Sequence, residues 1–467
     1  MTVIWLPNNK KFSNAFSCNA LVRVFKAKIV NKRSRGSDGM SATGFEKNLD
    51  VHVDSINRKI LVGSYKFSPY VELQVSKGRG KAPRILSVPT IRDQVALSAL
   101  KEHLHAKFSS CVNRKLPTSY IFKLMRFMRD EVHEAEEYGF IRTDVTGFYD
   151  NIDRERLMNF VRKKNVSRYG RQLLYRSITT PTVPSGTPQA QHFRFYSSKG
   201  IPQGLAISNI LADIYMHDFD EKFDNLVLLY MRYVDDILLI FPLSEKAQLL
   251  EKIRFATAKL GLSLNESKTE IGVLNRNTFD FLGYRVIAGN SISVRQTSVD
   301  RLIQSFANLI TSADHHFHRH KDLNPESYRV MLIEDLNEKI TGAVSNKKQY
   351  GWLYYFSQMN DVPLLHHLDR ALDRLCERSF LFTRKRPVEL KSFVRAYRKI
   401  HAQRKGEVSD YLLSYDGWDL ERQLEYIKRH GEWSGTEPLS PVEINALFAR
   451  VIARRMSRLD ADLKSLS

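Results

Sequence analysis

Apolar and polar positions follow two different periods along the chain. Residues 13 to 30 and 91 to 108 space their apolar side chains as helices do. Between them, KGRGKAPRILSVPT reads as a glycine-bearing turn, a short strand and a proline-bounded exit. GFIRTDVTGFYDNI predicts a strand running into a turn and a helix start. The stretch 178 to 200, rich in Thr, Pro and Ser, is the clearest loop, and LAISNILADIYMHDFDEKF after it is helix-like. LVLLYMRYVDDILLIFPL predicts strand, tight turn, strand. SEKAQLLEKIRFATAKLGLSL predicts an amphipathic helix ended by Gly261, and FDFLGYRV another short strand. From about residue 300 the pattern is mostly helical and basic, with a polar break at 402 to 409. The middle is therefore mixed α/β and the last third α-rich.

Composition narrows the class. With 467 residues, 43% apolar and 11% aromatic, the chain suits several packed domains or one lobed enzyme. It has no run of 18 uncharged apolar residues, which predicts no membrane span, and its start lacks the order of a signal peptide. Three scattered cysteines, Cys18, Cys111 and Cys376, form no zinc or redox pattern, so the chain reads as cytoplasmic and reduced. Charge is more telling. Lys plus Arg is 72 against 51 for Asp plus Glu, a net +21. The excess recurs at Lys32, Arg33 and Arg35, at Lys77 to Arg84, at Arg162 to Lys164 and from Arg370 to Lys405. A dispersed excess suggests a long track for a nucleic-acid backbone.

Two adjacent carboxylates, Asp235 and Asp236, interrupt the apolar run MRYVDDILLIF. Burying a lone carboxylate is costly, so a compensating partner is expected. Asp144 stands near another strand end. If the two elements are neighbours in one sheet, three carboxylates meet, and hard divalent ions prefer such oxygen ligands. Turn aspartates are common, however, and the pair alone also fits an ordinary hairpin. KGIPQGLAISN puts Gly200, Pro202 and Gly204 before a helix, where backbone can approach a ligand closely and Gln203 offers donor and acceptor. Lys77, Arg79, Lys81 and Arg84 sit on a glycine-bearing hairpin, as a triphosphate grip requires. Each segment alone also reads as a cap or a solvated turn, and Lys268 as a surface lysine or a proton donor.

Taken in order, these segments resemble a bacterial reverse transcriptase. GSDGMS resembles an N-terminal motif of group II intron and related enzymes, and RILSVPTIRDQVALSAL their fingers motif. DVTGFYDNID, GIPQGLAISNILADIYM and YVDD resemble palm motifs A, B and C, and LGLSLNESKTEI and FLGYRV the two that follow. The resemblance spans roughly residues 30 to 290. It implies Asp144, Asp235 and Asp236 as ligands of Mg²⁺, or Mn²⁺, with Val145 adding a backbone carbonyl. It implies Tyr149 as the gate against the ribose 2′-hydroxyl, and Gln203 and Gly204 against the incoming dNTP. Lys81 and Arg84 would hold its triphosphate, Lys268 would protonate the pyrophosphate, and FLGYRV would support the primer end.

The implied fold is α+β, a right-hand polymerase with fingers and palm of antiparallel sheet plus helices, then a helical thumb and a C-terminal helical extension. The corresponding segments are 1–135 for the N-terminal segment and fingers, 136–290 for the palm, 291–400 for the thumb and 401–467 for the extension. NEKITGAVSNKKQYGWLYYFSQMND and KSFVRAYRKI resemble segments of defence-associated and abortive-infection reverse transcriptases. Trp352, Tyr354, Tyr355 and Phe356 could stack on bases, though such clusters are more often core. Tyr411, Tyr415 and Tyr426 suggest surface tyrosines on a packing tail, an RNA clamp, or a hydroxyl that starts DNA synthesis. The implied activity is RNA-directed DNA polymerisation in antiphage defence, copying an associated structured noncoding RNA into DNA. A retron or domesticated intron enzyme, or an idle RNA-binding scaffold, is the alternative, and a homo-oligomer stays open.

Overall fold

The computed structural model describes residues 7–461 and 463, apart from 77–79, 81, 113–114, 133–136, 289–290, 320–323, 432, 434 and 436–437. The chain folds into two compact units, residues 1–114 with 139–271, and residues 115–138 with 272–467.

The first unit holds two sheets. In one, β1 (Tyr70–Val75) pairs antiparallel with β2 (Arg84–Val88) and parallel with the two-residue β4 (Thr182–Val183). In the other, the order is β5 (Leu229–Tyr233), β6 (Asp236–Pro242), β3 (Tyr138–Asp144) and β7 (Glu270–Val273). Ile237 to Phe241 in β6 are all fully buried. A strand covered on both faces reads as a continuous apolar run, which is why ILLIF lacks alternation.

Two helices pack into this unit with burial nearly all round. Ile91–Lys107 is capped by Thr90, whose Oγ1 accepts from the Asp93 amide at 3.2 Å. Asp93 itself is buried and accepts from the Tyr65 hydroxyl at 2.7 Å and the Ser68 amide at 2.9 Å. Ser208–Asp224 is the second such helix. The predicted amphipathic helix runs Lys246–Lys259, and Gly261 beyond it takes φ +71°. Gly36, from GSDGMS, has no room for a Cβ, which would meet the Thr90 amide nitrogen at 2.4 Å.

In the second unit, FDFLGYRV is not one strand but a hairpin. β8 (Phe279–Phe281) turns through Leu282 and Gly283, at φ +50° and +82°, into β9 (Tyr284–Ile287), which pairs with β10 (Ser291–Val294). Two successive positive φ values make the tight turn that twisted strands favour. Helices Gln296–Arg319, Pro325–Thr341, Val362–Cys376 and Phe393–Gln403 follow. A small sheet joins β11 (Ala343–Ser345) and β12 (Lys348–Tyr350), between the second and third of these helices, to β13 (Leu413–Ser414) beyond the fourth, and periodicity does not show it because its strands are so short.

Trp352, Tyr354 and Phe356 are buried core, and the Tyr355 hydroxyl donates to the Leu282 carbonyl at 3.1 Å. The tail tyrosines are not surface groups. Tyr415 and Tyr426 are buried with helices Leu420–Arg429 and Pro441–Leu459. The Tyr415 hydroxyl donates to Glu338 at 2.6 Å and lies 3.0 Å from the Tyr426 hydroxyl, while Arg455 donates to the same Glu338 at 2.8 Å. Burial raises both tyrosine pKa values. Neither hydroxyl is exposed for chain initiation. Tyr411 accepts from the Ser392 amide at 2.7 Å.

Candidate active site

Sheet order brings the carboxylates together. β6 lies beside β3, so Asp236 at the start of one neighbours Asp144 at the end of the other. The crossing is closed by backbone, with the Val145 amide donating to the Asp235 carbonyl at 3.2 Å. Asp144 is also tied to the segment before β7, its carbonyl accepting from the Asn265 amide at 2.8 Å.

The turn between β5 and β6 is two residues long, since Tyr233 pairs with Asp236 across the hairpin. Its first residue, Val234, takes φ +59°. Glycine ordinarily fills that position, and a β-branched residue there stores strain of about 1–3 kcal/mol. Sheet and helix hold it. The buried Arg232 donates to the Val234 carbonyl at 2.8 Å, and its other nitrogens engage Asp220 at 2.7 and 2.6 Å and Asp213 at 3.3 Å.

Electrostatics at this edge are unbalanced. Burial is the first cause that raises the Asp235 and Asp236 pKa values, and Asp144 adds repulsion to both. Asp236 is pushed up to about 6, although Arg142 opposes the shift. Arg142 lies 3.3 Å from Asp236 and 3.7 Å from Glu270, and Lys268 is ion-paired with Asp144. Asp144 and Asp236 thus turn toward these local cations, and among the described residues no three acidic or imidazole groups already converge on one point. Asp144 Oδ1 is nevertheless buried without a hydrogen-bond donor, and Asp236 Oδ1 has the Arg142 guanidinium at 3.3 Å outside hydrogen-bond geometry. A buried hard oxygen without a donor, beside a second carboxylate, fits a divalent cation.

A second group forms beside it. A cleft of about 430 Å³ brings Arg84, Asp150 and Gln203 together. Gln203 donates to Asp150 at 3.3 Å, and its carbonyl accepts from the Ser87 amide of β2 at 2.7 Å. Gly200 takes φ +78°, and a Cβ there would meet the Asp150 carbonyl oxygen at 2.6 Å. Gly204, at φ +92°, faces Leu86 and Ser87. The two groups meet around Tyr149. Its pKa is raised by burial and then by Asp235 and Asp213, with Arg232 and Arg84 opposing, and its hydroxyl donates to Asn209 at 2.9 Å.

Of the residues singled out from sequence, the structure gathers Asp144, Val145, Asp235, Asp236 and Lys268 at one sheet edge. It gathers Arg84 and Gln203 around the cleft, with Gly204 against Leu86 and Ser87 and not lining it, and the three carboxylates are not among that cleft's lining residues either. Lys81 lies outside the described residues. Arg142, Arg232 and Asn209 were not foreseen. Arg142 was within reach of pattern reasoning, because a residue two before Asp144 on a strand shares its face.

Residues 75–286 match the family described as reverse transcriptase (RNA-dependent DNA polymerase). The chain is 25% identical to Protein YkfC of Escherichia coli K12 over 301 residues, covering 55% of this chain and 76% of that one. It is 25% identical over 186 residues to the group II intron-encoded protein LtrA of Lactococcus lactis subsp. cremoris, covering 39% of this chain but only 29% of LtrA. A putative COX1/OXI3 intron 2 protein of Saccharomyces cerevisiae matches at 22% identity over 42% of this chain and 23% of that one.

Proposed function

Because residues 75–286 form a reverse transcriptase domain of the bacterial kind, we propose that this protein copies an RNA template into DNA with dNTPs. The observation that carries this reading is the sheet edge that Asp144, Asp235 and Asp236 share, where the buried Asp144 Oδ1 lacks a hydrogen-bond donor. Asp144, Asp235, Asp236 and the Val145 carbonyl would hold the divalent ions, Mg²⁺ or Mn²⁺. Bound there, such ions activate an attacking 3′-oxygen and stabilise the leaving one.

The chain's own residues do the rest. Arg84 holds the triphosphate, joined by Lys81, and Gln203 and Gly204 bound the nucleotide. Tyr149, fixed through Asn209, crowds the sugar at its 2′ position. Lys268, paired with Asp144, supplies the proton to pyrophosphate. Helices after residue 290 act as the thumb on the product duplex, and the remainder as an extension. The associated template is a structured noncoding RNA, and the biological setting is antiphage defence. That last step rests on the resemblance of segments after the palm.

The test is primer extension on an RNA template. The Asp235→Asn/Asp236→Asn protein should lose incorporation by several orders of magnitude while keeping RNA affinity. Undiminished synthesis by that protein would falsify the site assignment.

A further inference from the structure

We propose that Arg142 is a built-in counter-ion that competes with a divalent metal for Asp236, and that Glu270 sets the metal affinity of the site by drawing Arg142 away. This inference rests on the metal reading of the carboxylate edge given above.

Strand order places the three groups. β3 runs between β6 and β7. Arg142 lies two residues before Asp144 on β3, and the period of a strand puts both on one face. Asp236 opens β6 on one side, and Glu270 opens β7 on the other. The Thr143 and Thr269 hydroxyls, 2.7 Å apart, tie β3 to the residue before Glu270. The guanidinium therefore has an acid on each flank, Asp236 at 3.3 Å from Nε and Glu270 at 3.7 Å from Nη1.

Neither contact is a closed hydrogen bond. Among the described residues, Arg142 Nε is buried with no acceptor in hydrogen-bond geometry, and 3.7 Å is too long for such a bond. A guanidinium seated on a carboxylate ordinarily makes two parallel N–H bonds to it. Arg142 is held instead by charge, between two partners. Both acids are already within ion-pair distance, so a shift from one to the other needs no movement of the backbone.

The two cations at this edge differ in where they can go. Lys268, paired with Asp144, is 53% exposed and can turn into water. Arg142 is only 15% exposed. A guanidinium left there beside a bound divalent ion would be repelled by it, and a buried charge without a partner is costly. Glu270 is the other acid within ion-pair distance of Arg142, and it is 46% exposed. It keeps Arg142 paired while Asp236 is released. Arg142 thus neutralises Asp236 in the empty site, and Glu270 neutralises Arg142 in the loaded one.

The test is Mn²⁺ binding to the full chain without nucleic acid or nucleotide, read from the electron paramagnetic resonance signal of the free ion. Arg142→Gln should tighten Kd about fivefold or more, and Glu270→Gln should weaken it by a similar factor, as coupled sites do. In Arg142→Gln/Glu270→Gln the loss of Glu270 should no longer matter, and binding should stay tighter than in the parent. That double change leaves the net charge as it was, so a general field effect would leave Kd unmoved. A double variant that binds like the parent or more weakly, an Arg142→Gln protein that binds no tighter, or a Glu270→Gln protein that binds no more weakly overturns the proposal. If the Arg142 variants lose their circular dichroism, Glu270→Gln is compared with Glu266→Gln, an equal charge change at an acid paired with Arg254. Equal losses in those two overturn the proposal as well. The Asp235→Asn/Asp236→Asn protein reads the metal assignment separately. If it binds Mn²⁺ as the parent does, that assignment fails and this proposal with it. If it loses binding while the Arg142 and Glu270 variants keep the parent's Kd, this proposal alone fails.

Discussion

Arg232 holds the turn that presents Asp235 and Asp236, because its guanidinium donates to the Val234 carbonyl at 2.8 Å while Asp220 grips it from the helix Ser208–Asp224. Desolvation alone would lower the Arg232 pKa, yet Asp220, Tyr230 and Asp213 raise it overall, so the group stays charged in the core. The left-handed Val234 is thereby kept in place against its own preference.

Arg232→Lys should retain the charge and lose the fork, since an ammonium cannot bond Asp220 twice and still reach Val234. We expect extension rates to drop at least tenfold with RNA affinity unchanged. Arg232→Ala removes this partner from the partly buried Asp220 and Asp213 and should cost about 3 kcal/mol in stability. Denaturant melts together with single-turnover extension check both. A fully active Arg232→Lys protein would show that the turn holds itself.

If Asp236 is a metal ligand as proposed, the metal response should depend on pH. Its folded pKa is raised to about 6 from an ordinary 3.8. Between about pH 4 and pH 6 the folded state binds a proton that the unfolded chain has released, so this group's contribution to stability falls as pH rises through that window. A cation needs the ionised form. The Mg²⁺-induced rise in Tm should therefore grow up to about pH 6–7 and then level off. The Asp236→Asn protein should lack the pH-dependent component. A Mg²⁺ shift that is flat from acid to neutral pH would contradict the role given to Asp236.

Tyr149 should act through its ring rather than its hydroxyl. Tyr149→Ala removes the ring proposed to crowd the ribose and should raise ribonucleotide use about tenfold or more, a loss of selectivity worth about 1.4 kcal/mol or more. Tyr149→Phe loses only the hydrogen bond to Asn209 and should keep most of the discrimination. Steady-state kcat/KM for matched dNTP and NTP pairs measures this, and equal selectivity in the Ala protein and the parent would remove Tyr149 from the gate.

The basic run at 384–386 divides into different parts. Arg386 pairs with Asp373 and donates to the Lys391 carbonyl at 2.7 Å, so it is structural. Arg384 and Lys385 are exposed, and Arg384 lies over the Phe380 ring at 5.8 Å. Removing these two charges should flatten the plot of log Kd for RNA against log salt by up to about two phosphate contacts. Removing Arg386 should lower Tm instead. An unaltered salt slope in the Arg384→Ala/Lys385→Ala protein would put that run in free solvent.

Much of this molecule is legible from pattern. A two-residue turn between apolar runs, a glycine-bearing loop before a helix and an aspartate at a strand end are local features, set by backbone sterics and side-chain period. Their order along the chain is enough to point to a reverse transcriptase. Periodicity failed where elements were shortest. FDFLGYRV hides a hairpin, because a turn at Leu282 and Gly283 leaves too few residues on either side to show a period.

What sequence could not decide is which polar groups become buried together. Tyr415 and Tyr426 lie among polar neighbours in the chain, yet their hydroxyls meet beside Glu338 in the core, 77 and 88 positions away. Arg232 and Arg142 look like ordinary strand cations until packing removes water from one and sets the other against Asp236. Local pattern follows from short-range sterics and the alternation of apolar residues, and both are written in the order of the chain. The pairing of buried charges depends on which distant segments exclude water from the same point, and only the folded arrangement settles that.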